Sequence, residues 1–73
     1  MGILELMVQV RINGKDRELP EATTLLQLLQ ERGIDPRMVV VEYNREIVPR
    51  DRYGEITLRD GDTVEIVQMT AGG

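Results

Sequence analysis

The chain closes on Thr70-Ala71-Gly72-Gly73, and these are the residues whose types suggest chemistry most directly. Two glycines in a row carry no side chain to pack and lose the most entropy on ordering. They suit an extended tail and not the interior of a strand. The reactive group they present is the carboxylate of Gly73. A carboxylate is a poor electrophile. To react with sulfur or an amine it needs activation, typically as an acyl-adenylate formed from ATP. An enzyme performing that step must bring the chain end against an α-phosphate, inside a narrow channel that keeps water from the intermediate. A segment without β-carbons threads such a channel cheaply and adapts its dihedrals within it. Gly72 and Gly73 supply that segment, and the small Thr70 and Ala71 lead into it. The nucleotide site, the metal and the catalytic groups would then belong to a partner, with this chain as the carried substrate. Frayed glycines end many domains. Here the tail follows directly on a hydrophobic strand, so its exit point is held.

Composition removes most other chemistries. Cysteine, histidine and serine are absent and Lys15 is the single lysine. The usual zinc, copper and iron–sulfur ligand sets are therefore missing, as are thiol and serine nucleophiles. Scattered carboxylates such as Asp60 and Asp62 read as turn residues, so an enzyme in its own right is disfavoured. The net charge of -4 argues against nucleic acid, whose binding rests on phosphate neutralisation by a basic surface. No apolar run approaches membrane-spanning length and no signal-peptide pattern opens the chain, which fits a cytoplasmic protein. Seventy-three residues make one domain, a folded body over 1–69 and a flexible diglycine tail over 70–73.

The elements that must hold the tail follow from periodicity. Thr63 to Met69 reads as the last strand, with Val64 and Ile66 on one face and Glu65 on the other. Leu4 to Ile12 reads as the first, Val8, Val10 and Ile12 alternating with Gln9 and Arg11. Asn13-Gly14 predicts a tight hairpin turn into a charged edge strand over Lys15 to Leu19, stopped by Pro20. A helix of about ten residues follows, near the average length. Thr23 or Thr24 is its N-cap; if Thr24 caps, Gln27 completes a capping box. Leu25, Leu28 and Leu29 form the apolar stripe and Gly33 closes the last turn. Val39-Val40-Val41 lies in a strand covered at least partly on both faces, from Met38 to Glu42. Tyr43 to Glu46 is a turn, Ile47-Val48 a very short strand, and Asp51 to Gly54 a one-turn helix or loop with Tyr53 as a packing residue. Asp60-Gly61-Asp62 is a tight turn with Gly61 left-handed, which sets the register of the last strand. Hairpin, helix, then further strands is an α+β order. It predicts a β-grasp, ubiquitin-like roll: a mixed sheet of four to five strands with one main helix packed across it.

Val67 and Met69 have the parity opposite to the core residues of the last strand, and Met7 falls on the outer face of the first. If those strands are neighbours, Met7, Val67 and Met69 form an exposed apolar patch beside the tail, a candidate partner interface. Charged residues around it, among them Glu65, Arg11 and Arg59, would form a rim that sets orientation and encounter rate.

The segments Asn44-Arg45-Glu46-Ile47-Val48-Pro49-Arg50 and Leu58-Arg59-Asp60-Gly61-Asp62-Thr63-Val64-Glu65-Ile66-Val67, with Gly72-Gly73, resemble the ThiS family, the sulfur carriers of thiamine biosynthesis. The resemblance implies adenylation of Gly73 by a ThiF-like activating enzyme using ATP and magnesium. Sulfur from a cysteine desulfurase-derived donor would convert it to a thiocarboxylate. A ThiG-like thiazole synthase would take that sulfur. No cofactor would be bound by the chain itself. Related carriers serve molybdopterin synthesis or tRNA thiolation, and some modify proteins; the Ile47-Val48-Pro49-Arg50 stretch leans toward the thiamine carrier.

Overall fold

The computed structural model describes residues 6–69, so Leu4 and the four tail residues Thr70, Ala71, Gly72 and Gly73 lie outside the described residues. Five strands form one sheet in the order β2-β1-β5-β3-β4. The strands are β1 (Met7–Ile12), β2 (Lys15–Pro20), β3 (Val39–Tyr43), β4 (Glu46–Val48) and β5 (Thr63–Gln68). The β1–β5 pair is parallel and the other neighbours are antiparallel. One helix, α1 (Leu25–Glu31), covers one face, and short 3-10 turns occupy Pro36–Met38 and Arg50–Glu55. This is the expected β-grasp roll, with the charged β2 at one edge and the three-residue β4 at the other.

Local chemistry explains each join. Asn13 and Gly14 both take positive φ, the requirement of a two-residue hairpin turn that follows the strand twist. Asn44 and Arg45 repeat it between β3 and β4, Arg45 occupying a left-handed position that glycine usually fills. The capping box of α1 is present: Gln27 N–H donates to Thr24 Oγ1 at 3.1 Å and Thr24 N–H to Gln27 Oε1 at 3.0 Å. Two bonds close the other end. Gly33 N–H donates to the Gln30 carbonyl and Ile34 N–H to that of Leu29, the Schellman pattern, with Gly33 at φ +69. The helix is seven residues long and not about ten. The capping box fixes its start at Thr24 and this closure ends it at Arg32.

The core lies between α1 and the inner face of the sheet. Leu25, Leu28 and Leu29 meet Val8, Val10, Ile12, Val39, Val41, Val64 and Ile66, all buried. Tyr53 is buried with them at the far end, a packing residue as expected, and Leu58 and Val48 fill the margins. Ile34 packs against this core from the connector after α1. Strand β3 begins one residue later than expected because Pro36 and the Asp35 side chain, which accepts from Arg37 N–H at 2.9 Å, hold Met38 in a turn. Among the described residues no helix is long and apolar enough to cross a membrane. No group of three or more potential metal ligands converges among them either.

Candidate functional site

Strand β5 leads toward the diglycine segment and is flanked on both sides, by β1 and by β3. Two turns fix where it starts. Asp62 accepts from the amide of Arg59 at 2.7 Å, from Asn44 Nδ2 at 3.2 Å and from the Tyr43 hydroxyl. Asn44 and Thr63 add a reciprocal pair: Thr63 N–H donates to Asn44 Oδ1 at 2.9 Å and Asn44 N–H to the Thr63 carbonyl at 2.8 Å. On the other side, Gln9 N–H donates to Asp60 Oδ1 at 2.7 Å, and Gly61 N–H, at φ +89, to the Gln9 carbonyl. The turn residues Asp60 and Asp62 therefore tie the β5 start to three elements at once. Their role is structural, as their turn position implies.

Further along, β1 ends at Ile12 while β5 continues. Asn13 bridges the step. Its amide donates to the Val64 carbonyl at 2.9 Å and its side-chain oxygen accepts from Ile66 N–H at 2.7 Å. Nothing in the linear pattern points to that contact, which joins residues 53 positions apart. On the β3 side, pairing runs from Tyr43 opposite Val64 to Val39 opposite Gln68, and Met69 N–H then donates to the Met38 carbonyl at 2.8 Å. The chain is held on the β3 side up to Met69.

The sheet face away from α1 carries an ordered set of side chains. Val67 stands opposite Val40, and Glu65 opposite Glu42, which itself stands opposite Ile47. Val67 is 57% exposed, Met69 48%, Met38 43% and Ile47 69%. An apolar surface built from Val40, Val67, Met69 and Met38 thus lies where β5 leaves the sheet. The expected exposure of Val67 and Met69 is found, and Met38 and Val40 extend the surface beyond the residues expected.

Met7 does not join them. It is exposed, and β1 is indeed the neighbour of β5, but the parallel register sets Arg11 opposite Thr63. Met7 lies four residues before that level and Val67 four residues after it. At the rise of a strand they are about 26 Å apart. Met7 stands instead opposite Pro20, beside exposed Leu6 at the opposite end of the sheet. The single patch inferred from strand neighbourhood is therefore two separate surfaces. Alternation sets the face of each residue, whereas the stagger of two parallel strands is set by the turns at their ends.

Burial, the hydrogen bond to Asp62 and the Asp62 charge push the Tyr43 hydroxyl up to about 12. Burial also raises Tyr53. A group whose folded value is raised holds its full stabilising contribution below its unfolded value, near 10, and loses it as pH rises through the folded value. The fold should accordingly weaken between pH 10 and about 12. Replacing Tyr43 with phenylalanine should flatten that decline in part, Tyr53 supplying the remainder. Urea midpoints of both proteins across this range check it.

A sequence model of the ThiS family matches residues 10–73. The chain is 45% identical over 62 residues to a thiazole synthase of Paramagnetospirillum magneticum, covering 85% of this chain and 19% of that protein. It is 38% identical over 65 residues to the sulfur carrier protein ThiS of Bacillus subtilis, covering 88% of this chain and 98% of that one. The crystal structure of a thiamine biosynthesis protein, ThiS, from Geobacter metallireducens superposes with a TM-score of 0.77 at 29% identity, over 90% of this chain and 100% of that chain. The chain thus spans about a fifth of the thiazole synthase and nearly all of the carrier proteins it matches.

Proposed function

The chain belongs to the ThiS family, and from that membership we propose that it is a sulfur carrier whose Gly73 carboxylate is adenylated and then converted to a thiocarboxylate for thiazole formation. The observation that carries this reading is the extent of the family match, which runs through the β5 strand to Gly72 and Gly73. The names of the relatives, thiazole synthase and sulfur carrier protein ThiS, favour thiazole formation over molybdopterin synthesis, tRNA thiolation or protein modification.

The division of labour follows from the residues. The sequence holds no cysteine or serine to act as a nucleophile. A ThiF-like adenylating enzyme supplies the ATP site and magnesium. There an oxygen of the Gly73 carboxylate attacks the α-phosphate, forming the acyl-adenylate as pyrophosphate leaves. The outer sulfur of a desulfurase-derived persulfide then attacks the acyl-adenylate and displaces AMP, giving an acyl disulfide. A thiol cleaves its S–S bond, leaving the thiocarboxylate on Gly73 and a disulfide on the donor side, and a ThiG-like thiazole synthase receives the sulfur. We place these steps in the cytoplasm, where ATP and cysteine-derived sulfur are both supplied. The carrier contributes a tail that fits a channel and a surface that docks: Val67 and Met69, with Val40 and Met38, beside the point where β5 ends. Met7 belongs to a second surface at the other end of the sheet and is no part of this docking face.

Exchange of labelled pyrophosphate into ATP tests the proposal. Mixing the chain with a purified ThiF-like enzyme should give exchange that depends on the chain. An activating enzyme that exchanges with its own carrier and is silent with this chain would count against the reading. Val67→Asp places a charge on the docking face without touching the core. It should lower exchange about tenfold or more at limiting carrier, the cost of losing a central apolar contact, and lower the urea midpoint only slightly, an aspartate in a strand near Glu65 and Glu42 costing about 1 kcal/mol.

A further inference from the structure

The open face carries one arrangement that local stability does not explain. Glu42 and Glu65 stand directly opposite each other on β3 and β5. Cross-strand partners have Cβ atoms about 5 Å apart, and like charges at that spacing repel. None of the three ion pairs among the described residues involves either carboxylate. Arg11, on the same face of β1, stands opposite Thr63, two positions from the Glu65 level, and its Nε donates to Asp16 at 3.2 Å. Ile47 flanks the pair across the strands, and the Val40 and Val67 row follows it along them, with Met38 and Met69 beyond. Two carboxylates outside all three ion pairs therefore border the apolar surface at the end of β5.

The geometry points to a protein partner that presents an arginine or lysine between Glu42 and Glu65, flanked by apolar side chains that cover Val40, Val67 and Met69. This rests on the carrier reading and names the chemistry of the docking partner. A cation inserted there relieves the repulsion only in the complex, so the pair favours the bound state over the free one. It also orients. Glu65 is four residues before Met69 along β5, about 13 Å. A basic group seated on the pair fixes how far along the partner the tail is fed. Apolar contacts alone tolerate sliding; one charge contact removes it.

Association of the full chain with a purified ThiF-like adenylating enzyme, measured by stopped flow over a salt series, tests the inference. The wild type, Glu42→Gln with Glu65→Gln, and Glu21→Gln with Glu31→Gln as a control of equal net charge at exposed positions away from this face are compared. The Glu42 and Glu65 variant should unfold at the same or higher urea concentration than wild type. Its association should be about tenfold slower at low salt and its rate should depend less on salt. The Glu21 and Glu31 variant should associate close to the wild-type rate. A Glu42 and Glu65 variant that associates like wild type at every salt concentration overturns the proposal, and so does one equalled by the Glu21 and Glu31 variant. Wild-type binding without pyrophosphate exchange would instead count against the carrier reading and leave this one to the variants. A wild-type chain that does not bind overturns both.

Discussion

A chain shortened by Gly73 is expected to form no acyl-adenylate, although it still ends in a glycine carboxylate. The reason is reach. Each extended residue spans at most about 3.3–3.6 Å, so removing one withdraws the carboxylate by that distance from an α-phosphate fixed in the partner. In-line attack requires reacting atoms within about 3–3.5 Å, and a misplacement of about 1 Å can cost roughly a hundredfold. A withdrawal several times larger should leave exchange at background. The docking face proposed above is untouched, because Val67 and Met69 are held by β3 through the Val40 register and the Met38 carbonyl. The shortened chain should therefore bind the activating enzyme about as well as wild type and act as a competitive inhibitor. Exchange measured with both chains present checks this. Inhibition without exchange is the expected outcome, and exchange at the wild-type rate would contradict it.

The second large effect concerns the fold. Leu29→Ala should cost about 2–5 kcal/mol, the range for truncating a buried leucine. Leu29 is fully buried among the strand residues, and its carbonyl accepts the Ile34 amide that closes α1. A domain of this size holds only about 4–11 kcal/mol of stability in total. The substitution should thus remove a large share of it and lower Tm by more than about 10 °C. Gln30→Ala, one position along on the exposed side, should change Tm by little. Thermal unfolding of the two variants separates these cases. Equal midpoints would mean that the helix is not what holds the sheet.

Much of this architecture was legible because its signals are local. The capping box needs only Thr24 and Gln27 three residues apart. Gly33 and Gly61 announce positive φ by lacking a Cβ, and Asn13-Gly14 selects its hairpin by the same conformational freedom. Strand parity, read from Val8, Val10 and Ile12 or from Val64 and Ile66, assigns the inner face without any tertiary knowledge. Four features were not legible, and each depends on how distant segments meet. The Asn13 side chain serves Ile66 only because β1 stops where β5 continues. Tyr43, Asn44 and Arg59 converge on Asp62 only once the β3–β4 turn and the Asp60-Gly61 turn are packed together. The separation of Met7 from Val67 follows from a stagger that alternation cannot encode, since a shift of two residues preserves every face. The opposition of Glu42 and Glu65 belongs to the same class: each reads as an ordinary outward charge until the register brings them together.

Whether Gly73 carries sulfur is read from the intact mass of the chain after incubation with ATP, a ThiF-like activating enzyme and a cysteine-fed sulfur donor. Exchange of a single terminal oxygen for sulfur, absent when Gly73 is removed, is the predicted result. An unchanged mass, with an activating enzyme and donor that thiolate their own carrier in parallel, would contradict the account.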